Sequence, residues 1–151
     1  MIRTATPSDY DALGAVMFTA IRTGHSPYTD AQRRVWNSAP HAGAGWHAKL
    51  AAQFVVIAKT NADLTGFMTM RPDGYLDLAY IVPAARGSGL FRALYAAVEA
   101  QAKTLGLHHI WVHASLMAQA PFAAMGFQVV QHEQITRNGE TLTRAQMEKW
   151  L

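Results

Sequence analysis

The chain has 151 residues, half of them hydrophobic, 15% charged and none of them cysteine. That composition suits one domain with a proper core; it excludes a disordered chain, a disulfide scaffold, cysteine nucleophiles and thiolate metal sites. The formal net charge is +3, with thirteen Lys and Arg scattered against ten Asp and Glu, which reads as a solvated surface rather than a nucleic-acid face. No apolar run reaches membrane-spanning length, and residues 1–6 lack the apolar core of a signal peptide. The expectation is a cytoplasmic protein with no membrane or nucleic-acid partner.

Residues 2–5 read as a short first strand. Thr6, Pro7 and Asp9 form a helix start, with Thr6 as N-cap, Pro7 at the first helical position and an acid three residues after the cap. Tyr10, Leu13, Val16, Met17, Ala20 and Ile21 follow at helical spacing. A loop spans 23–28, and Thr29 or Asp30 caps a second helix through Trp36. Residues 37–47, rich in Ala, Gly, His and Pro, read as loop. Residues 53–58 and 64–70 are strands joined by a turn at 61–63. Pro72-Asp73-Gly74 is a hairpin signal, and 75–82 returns as the next strand. These three strands form an antiparallel meander.

Leu90, Leu94, Val98 and Leu105 line one side of a helix that stops at Gly106. Residues 108–114 alternate as a strand and 119–125 form a short helix. Residues 127–135 and 141–147 close the chain as a hairpin turned at Asn138-Gly139. The helix between the strands ending at 82 and starting at 108 makes those two neighbours parallel. The sheet is therefore mixed, and the fold class is α+β in a single domain over 1–151.

The junction at 83–95 carries the chemistry. An apolar strand meets Pro83, a short loop holds Arg86, Gly87 and Gly89, and a helix opens at once. Several backbone N–H groups then point at one spot where the helix dipole adds partial positive charge, a place that binds phosphate. A nucleoside-triphosphate loop needs G-x-x-x-x-G-K-[ST], which is absent. A dinucleotide fingerprint needs a third glycine where Arg92 stands, and no alternating strand-helix series surrounds it. A third reading is a loop for the pyrophosphate of coenzyme A.

At these residues the sequence resembles the GNAT superfamily of N-acetyltransferases. Arg86, Gly87, Ser88, Gly89 and Leu90 match its [Q/R]-x-x-G-x-[G/A] signature, with Phe91 where the family prefers Gly or Ala. Ile81-Val82-Pro83-Ala84-Ala85-Arg86 meets the extended V-x-P-x-x-R pattern. Ala118, Gly126 and Phe127 match the downstream A-x-x-F-Y-x-x-x-G-F signature, while Pro121 and Phe122 replace its Phe-Tyr pair. The opening I-R-x-A-T and the strand order extend the resemblance over nearly the whole chain. It looks closest to the YafP-like branch. The resemblance implies a mostly antiparallel mixed sheet with helices on both faces, and acetyl-CoA as cofactor. It implies that the backbone of 86–91 holds the pyrophosphate. Ile81 and Val82 would pair with the pantetheine arm, Ser115 would touch that arm, and Phe122 would pack on it. The implied activity is direct acetyl transfer to a primary amine of a small molecule or peptide; the alternative, motivated by the missing tyrosine, is a non-catalytic acyl-CoA-binding module.

A lysine-like amine titrates near 10.4, so reaching the neutral form at pH 7 costs roughly 4.6 kcal/mol. A base therefore matters more than an acid. Asp77 is the first candidate, on an extended strand with Tyr75, Ala79 and Ile81 on the same face; the resemblance puts basic residues at the positions of Tyr75 and Asp77. The other reading of Asp77 is an anchor for a loop or for the acceptor amine. The Ile81 N–H is the expected oxyanion donor. His113 shares a strand face with Ser115 and points towards the acceptor or stays structural. His41, His47, His108 and His109 lack metal-ligand spacing, so no metal is expected. Tyr28, Trp36 and Trp46 lie in the segment that the resemblance places over the acceptor cleft, as an aromatic wall or as a small core. The acceptor and the oligomeric state, a homodimer included, stay open.

Overall fold

The first turn of the chain shows how local sequence sets the frame. The Asp9 carboxylate accepts the Thr6 N–H at 2.8 Å and two Arg3 N–H groups at 2.8 and 3.0 Å, which ties strand β1 (Ile2–Thr4) to the start of helix α1 (Tyr10–Arg22). Helix α2 (Asp30–Trp36) starts as its sequence predicts, with the Thr29 hydroxyl accepting the Gln32 N–H in a capping box. The later elements are α3 (Gly43–Ala51), β2 (Phe54–Thr60), β3 (Asp63–Met70), β4 (Tyr75–Ile81), α4 (Leu90–Thr104), β5 (His109–Ser115), α5 (Leu116–Ala124), β6 (Gln128–Arg137) and β7 (Glu140–Trp150). These assignments come from a computed structural model that describes residues 1–151.

Two helices depart from the sequence reading. Residues 37–47 are not all loop, because α3 opens at Gly43. Its apolar signal is a single pair, Trp46 and Leu50, one turn apart and both buried; two positions do not make a visible period in an Ala- and Gly-rich background. Helix α5 starts three residues earlier than expected. Ser115 ends β5 and serves as the N-cap of α5, so no loop separates them.

The seven strands order as β1-β2-β3-β4-β5-β7-β6. Every pair is antiparallel except β4 with β5, which the α4 crossover makes parallel. The mixed α+β fold is as expected. Helices α1 and α3 supply buried residues to one core, and α4 and α5 to another, so the two cores lie on opposite faces of the sheet. Asn138 and Gly139, both with positive φ, turn the final hairpin.

Two irregularities shape the centre of the sheet. First, β4 and β5 pair only at Tyr75 with Trp111 and Leu76 with Val112; beyond that point the ladder between them ends. Second, β4 bulges against β3: Thr69 faces Leu78 while Met70 faces Leu76, leaving Asp77 unpaired. The extra residue reverses the side-chain alternation. Leu76, Ala79 and Ile81 join the α4/α5 core, whereas Leu78, Tyr80 and Val82 join the α1/α3 core. The strict alternation expected from sequence, with Asp77 on the face of Ala79 and Ile81, is therefore corrected.

Candidate active site

The junction after β4 folds as a cradle of backbone donors. The Arg86 N–H is spent on the Pro83 carbonyl, and the first N–H of α4 with a partner is that of Ala93, bonded to Gly89 O. The N–H groups of residues 87–92 are thus free to face an anion at the positive end of a 15-residue helix. Gly87 and Gly89 sit at φ +77° and +84°, a region that side chains disfavour. A Cβ at either position would meet nothing within 4 Å, so open space lies over the loop. Donors, dipole and space together fit a diphosphate.

The Arg86 side chain is not part of that cradle. Its Nε donates to Ile81 O at 3.1 Å and its Nη2 to Ala20 O at 2.9 Å, fastening the loop to α1. Burial, and secondarily the charge of Arg33, lowers its pKa.

A cavity of about 400 Å³ runs from the loop into the gap between the diverged strands, as far as Ala79 on β4 and Ser115 on β5. Of the residues that the resemblance assigns to the cofactor, Ile81, Arg86, Gly87, Gly89, Leu90, Phe91 and Ser115 line it. Val82, Ser88 and Phe122 do not. Val82 points into the α1/α3 core and its N–H is bonded to Thr65 O. The Ser88 hydroxyl is bonded to the Ala85 carbonyl. Phe122 is 1% exposed and packs edge-on against Phe91 with ring centroids 4.9 Å apart, so it lies behind the lining and supports it.

The far wall comes from α1, α2 and their connection: Ile21, Ser26, Tyr28, Arg33 and Trp36, with Tyr80 from β4. The aromatic trio of the sequence reading divides here. Trp46 is core, its indole N–H bonded to Tyr10 O at 2.6 Å. Tyr28 and Trp36 face the cavity with ring centroids 5.4 Å apart. The Tyr28 hydroxyl donates to Thr143 O at 2.6 Å and accepts the Leu116 N–H at 2.9 Å, strapping the loop before α2 to β7 and α5. Burial raises the Tyr28 pKa, against the Leu116 N–H that lowers it. Burial also pushes Tyr80 up to about 12, with Trp36 opposing. No carboxylate lines the cavity; its charged members are Arg33, Arg86 and Arg92.

The two catalytic candidates from sequence, Tyr75 and Asp77, lie beyond the cavity wall at the root of the β4/β5 fork. Asp77 accepts Gln53 Nε2 at 2.9 Å and sits 3.4 Å from Lys49 Nζ, so its carboxylate is committed to α3 and the turn after it. The Tyr75 hydroxyl is raised first by burial and then by the Asp77 charge. Its ring lies 5.6 Å from that of His113. His113 Nδ1 is 2.7 Å from Glu133 Oε1, which also accepts Arg144 Nε at 3.0 Å. Burial pushes the Glu133 carboxyl up, but His113 and Arg144 outweigh it and hold the group below its usual range. Glu133 and Arg144 escaped sequence reading, because cross-strand pairing alone brings them to His113.

A family model described as an acetyltransferase (GNAT) domain matches residues 25–149. The chain belongs to the GNAT acetyltransferase family. Solved structures agree with the GNAT fold. A GCN5-related N-acetyltransferase from Rhodopseudomonas palustris aligns with a TM-score of 0.90 at 29% identity, over 100% of this chain and 95% of that one. A GNAT superfamily phosphinothricin acetyltransferase from Sinorhizobium meliloti, in complex with acetyl-CoA, aligns at 0.72 and 19%, over 100% and 88%. PaiA N-acetyltransferase from Thermoplasma acidophilum, in complex with coenzyme A, aligns at 0.73 and 16%, over 100% and 98%. Among curated protein sequences none matches. No helix is long and apolar enough to cross a membrane.

Proposed function

We propose that this GNAT chain is an N-acetyltransferase, one domain over 1–151, that moves an acetyl group from acetyl-CoA to a primary amine of a small molecule or peptide. The observation that carries the reading is the cradle: free N–H groups at 87–92, two left-handed glycines and open space above them, leading into a cavity that reaches Ala79 and Ser115 between the diverged β4 and β5. When bound, acetyl-CoA supplies an activated thioester. The chain's own part is to hold the diphosphate on the 87–92 N–H groups and to line the path with Leu90, Phe91, Ile81 and Ser115. The fork leaves β4 backbone past Leu76 without a β5 partner, so it is available to an extended arm. The Ile81 N–H remains the proposed oxyanion donor.

The acceptor enters from the opposite face, past Tyr28, Trp36 and Tyr80. With three arginines and no acid along the cavity, a polycationic acceptor is disfavoured and a monoamine with an apolar or aromatic body is favoured. We assign Asp77 the anchoring role, because its carboxylate already serves Lys49 and Gln53. Within the superfamily, placement in the YafP-like branch stays a proposal from sequence.

The test is ligand-induced thermal stabilisation. CoA at about 100 times its Kd should stabilise the fold by roughly 2.7 kcal/mol. Gly89→Asp, which sets a carboxylate against the phosphates, should abolish the response; an unchanged response would remove the loop assignment. Thiol release with a panel of amines then separates an enzyme from a module that binds acyl-CoA without turnover.

A further inference from the structure

We propose that His113 is the proton acceptor for the amine, held in place by Glu133 and Arg144. The inference rests on the acetyltransferase reading above and deepens it.

The sheet's pleat supplies the placement. On β5, Ile110, Val112 and Ala114 fill the α4/α5 core, so Trp111, His113 and Ser115 face the other side, where α1 and α2 stand. Ser115 lines the cavity. His113 lies one pleat behind it, about 7 Å along the strand. It sits where β4 and β5 have just ceased to pair, beside Tyr75. His113 lies outside the cavity lining, so the acceptor nitrogen is placed in the gap that opens between β4 and β5 past Leu76 and Val112, between Ser115 and His113.

The chemistry of the ring follows from its partners. Glu133 Oε1 lies against Nδ1, so Nδ1 carries the hydrogen and Nε2 keeps its lone pair. Arg144 binds the same oxygen and fixes the carboxylate. A carboxylate behind one imidazole nitrogen orients the ring and stabilises the cation that forms when the other nitrogen takes a proton. Imidazole is also the side chain that most often serves as a general base. Neither neighbour competes: Asp77 is bound to Lys49 and Gln53, and the Tyr75 hydroxyl is a proton donor at neutral pH.

The step balances as follows. An ammonium N–H bond breaks, its proton goes to Nε2 of His113, and its electron pair stays on nitrogen. That pair forms the C–N bond to the acetyl carbon as the C=O π electrons move to oxygen, towards the Ile81 N–H; they then return as the C–S bond breaks and its electrons leave on sulfur. A second proton of the nitrogen passes to the sulfur, and His113 later returns its own to water. No tyrosine acid is required, which accords with Phe122 in place of the family's tyrosine.

Two variants and two kinds of readout test this. With the best amine of the panel, His113→Gln should lower kcat/KM at pH 7 by about 10²-fold or more. The deficit should shrink as pH approaches the amine's own pKa, since free amine then needs no base. CoA affinity measured by calorimetry should stay within about twofold, because His113 lies outside the cavity lining. Glu133→Gln should lower kcat about tenfold with KM for acetyl-CoA unchanged. The titratable groups that face His113 are Tyr75 on β4 with Arg71 and Asp77 beside it, Glu133 on β6 and Arg144 on β7. An acidic limb of the pH profile that persists in His113→Gln would therefore belong to one of these and overturn the proposal. Nitrogen NMR of the unliganded protein gives an answer without turnover: neutral His113 should be the Nδ1–H tautomer, and Glu133→Gln should mix the tautomers. A dominant Nε2–H tautomer, or full activity in His113→Gln, overturns His113 alone. Absence of turnover with every amine, despite CoA binding, overturns the enzyme reading as well.

Discussion

The two faces of this sheet are built by different means. The α4/α5 face is a continuous core of 16 buried residues, and the cradle beside it is made of backbone and glycine. The α1/α3 face carries a core of ten and then gives way to polar groups, namely Asp77, His113, Glu133 and Arg144. A diphosphate is the same in every reaction of this kind, so main-chain donors suffice and side chains there are free to pack. Recognition and proton transfer depend on the acceptor, so they fall to side chains gathered from several strands. Cofactor binding should therefore respond to changes on the first face and acceptor kinetics to changes on the second, while both cores contribute stability.

The strongest way to break that contrast is Phe122→Ala. The ring is 1% exposed and contacts Phe91 at 4.9 Å and Phe127 at 5.0 Å. Chemical denaturation should register a loss of about 3–5 kcal/mol, with weaker CoA binding because Phe91 loses its support. Unchanged CoA binding would mean that the two faces do not differ as described.

A next-largest effect is expected at Gly14, on the buried side of α1. A Cβ there would collide with the His41 carbonyl oxygen. Gly14→Ala must push the backbone around His41 away and should cost about 1–3 kcal/mol. Since that segment leads into α3 rather than the cradle, CoA affinity should hold.

Tyr28→Phe tests the acceptor-side strap. It removes the donor to Thr143 O and the acceptor for the Leu116 N–H. The expected cost is about 1–2 kcal/mol, with KM for the amine raised more than KM for acetyl-CoA. Equal increases in both would place the strap on the cofactor path instead.

The smallest effect is electrostatic and lies at the start of α1. Arg3, with help from the Thr6 N–H, holds Asp9 at about 2 against an ordinary value of 3.8. A depressed carboxylate contributes stability above its unfolded pKa and loses it as pH falls through the folded one. Unfolding free energy should therefore decline between about pH 5 and pH 2 by about 1 kcal/mol from this group, discounted because Arg3 is partly exposed. Asp9→Asn should flatten that slope while leaving the pH dependence of acceptor turnover in place.

Local spacing and turn chemistry alone determined much of this protein. The Thr6 and Thr29 helix starts, the Asn138-Gly139 hairpin and the glycine loop before α4 all rest on neighbours within a few residues, and the helical period of α4 between two strands was enough to imply the parallel crossover. Such signals are written where they act. Helix α3 was hidden because Trp46 and Leu50 are too few to show a period. The tertiary structure decided the rest, since it depends on residues far apart in the chain. The bulge at Asp77 arises from pairing with β3, and it turned Ala79 and Ile81 away from the aspartate that simple alternation placed beside them. Trp46 became core while Trp36 faced the cavity because helix packing, not composition, chose between them. His113 meets Glu133, and Glu133 meets Arg144, only when β5, β7 and β6 lie side by side, although the partners stand 20 and 11 positions apart along the chain. No pattern in a single segment encodes a contact made across three strands.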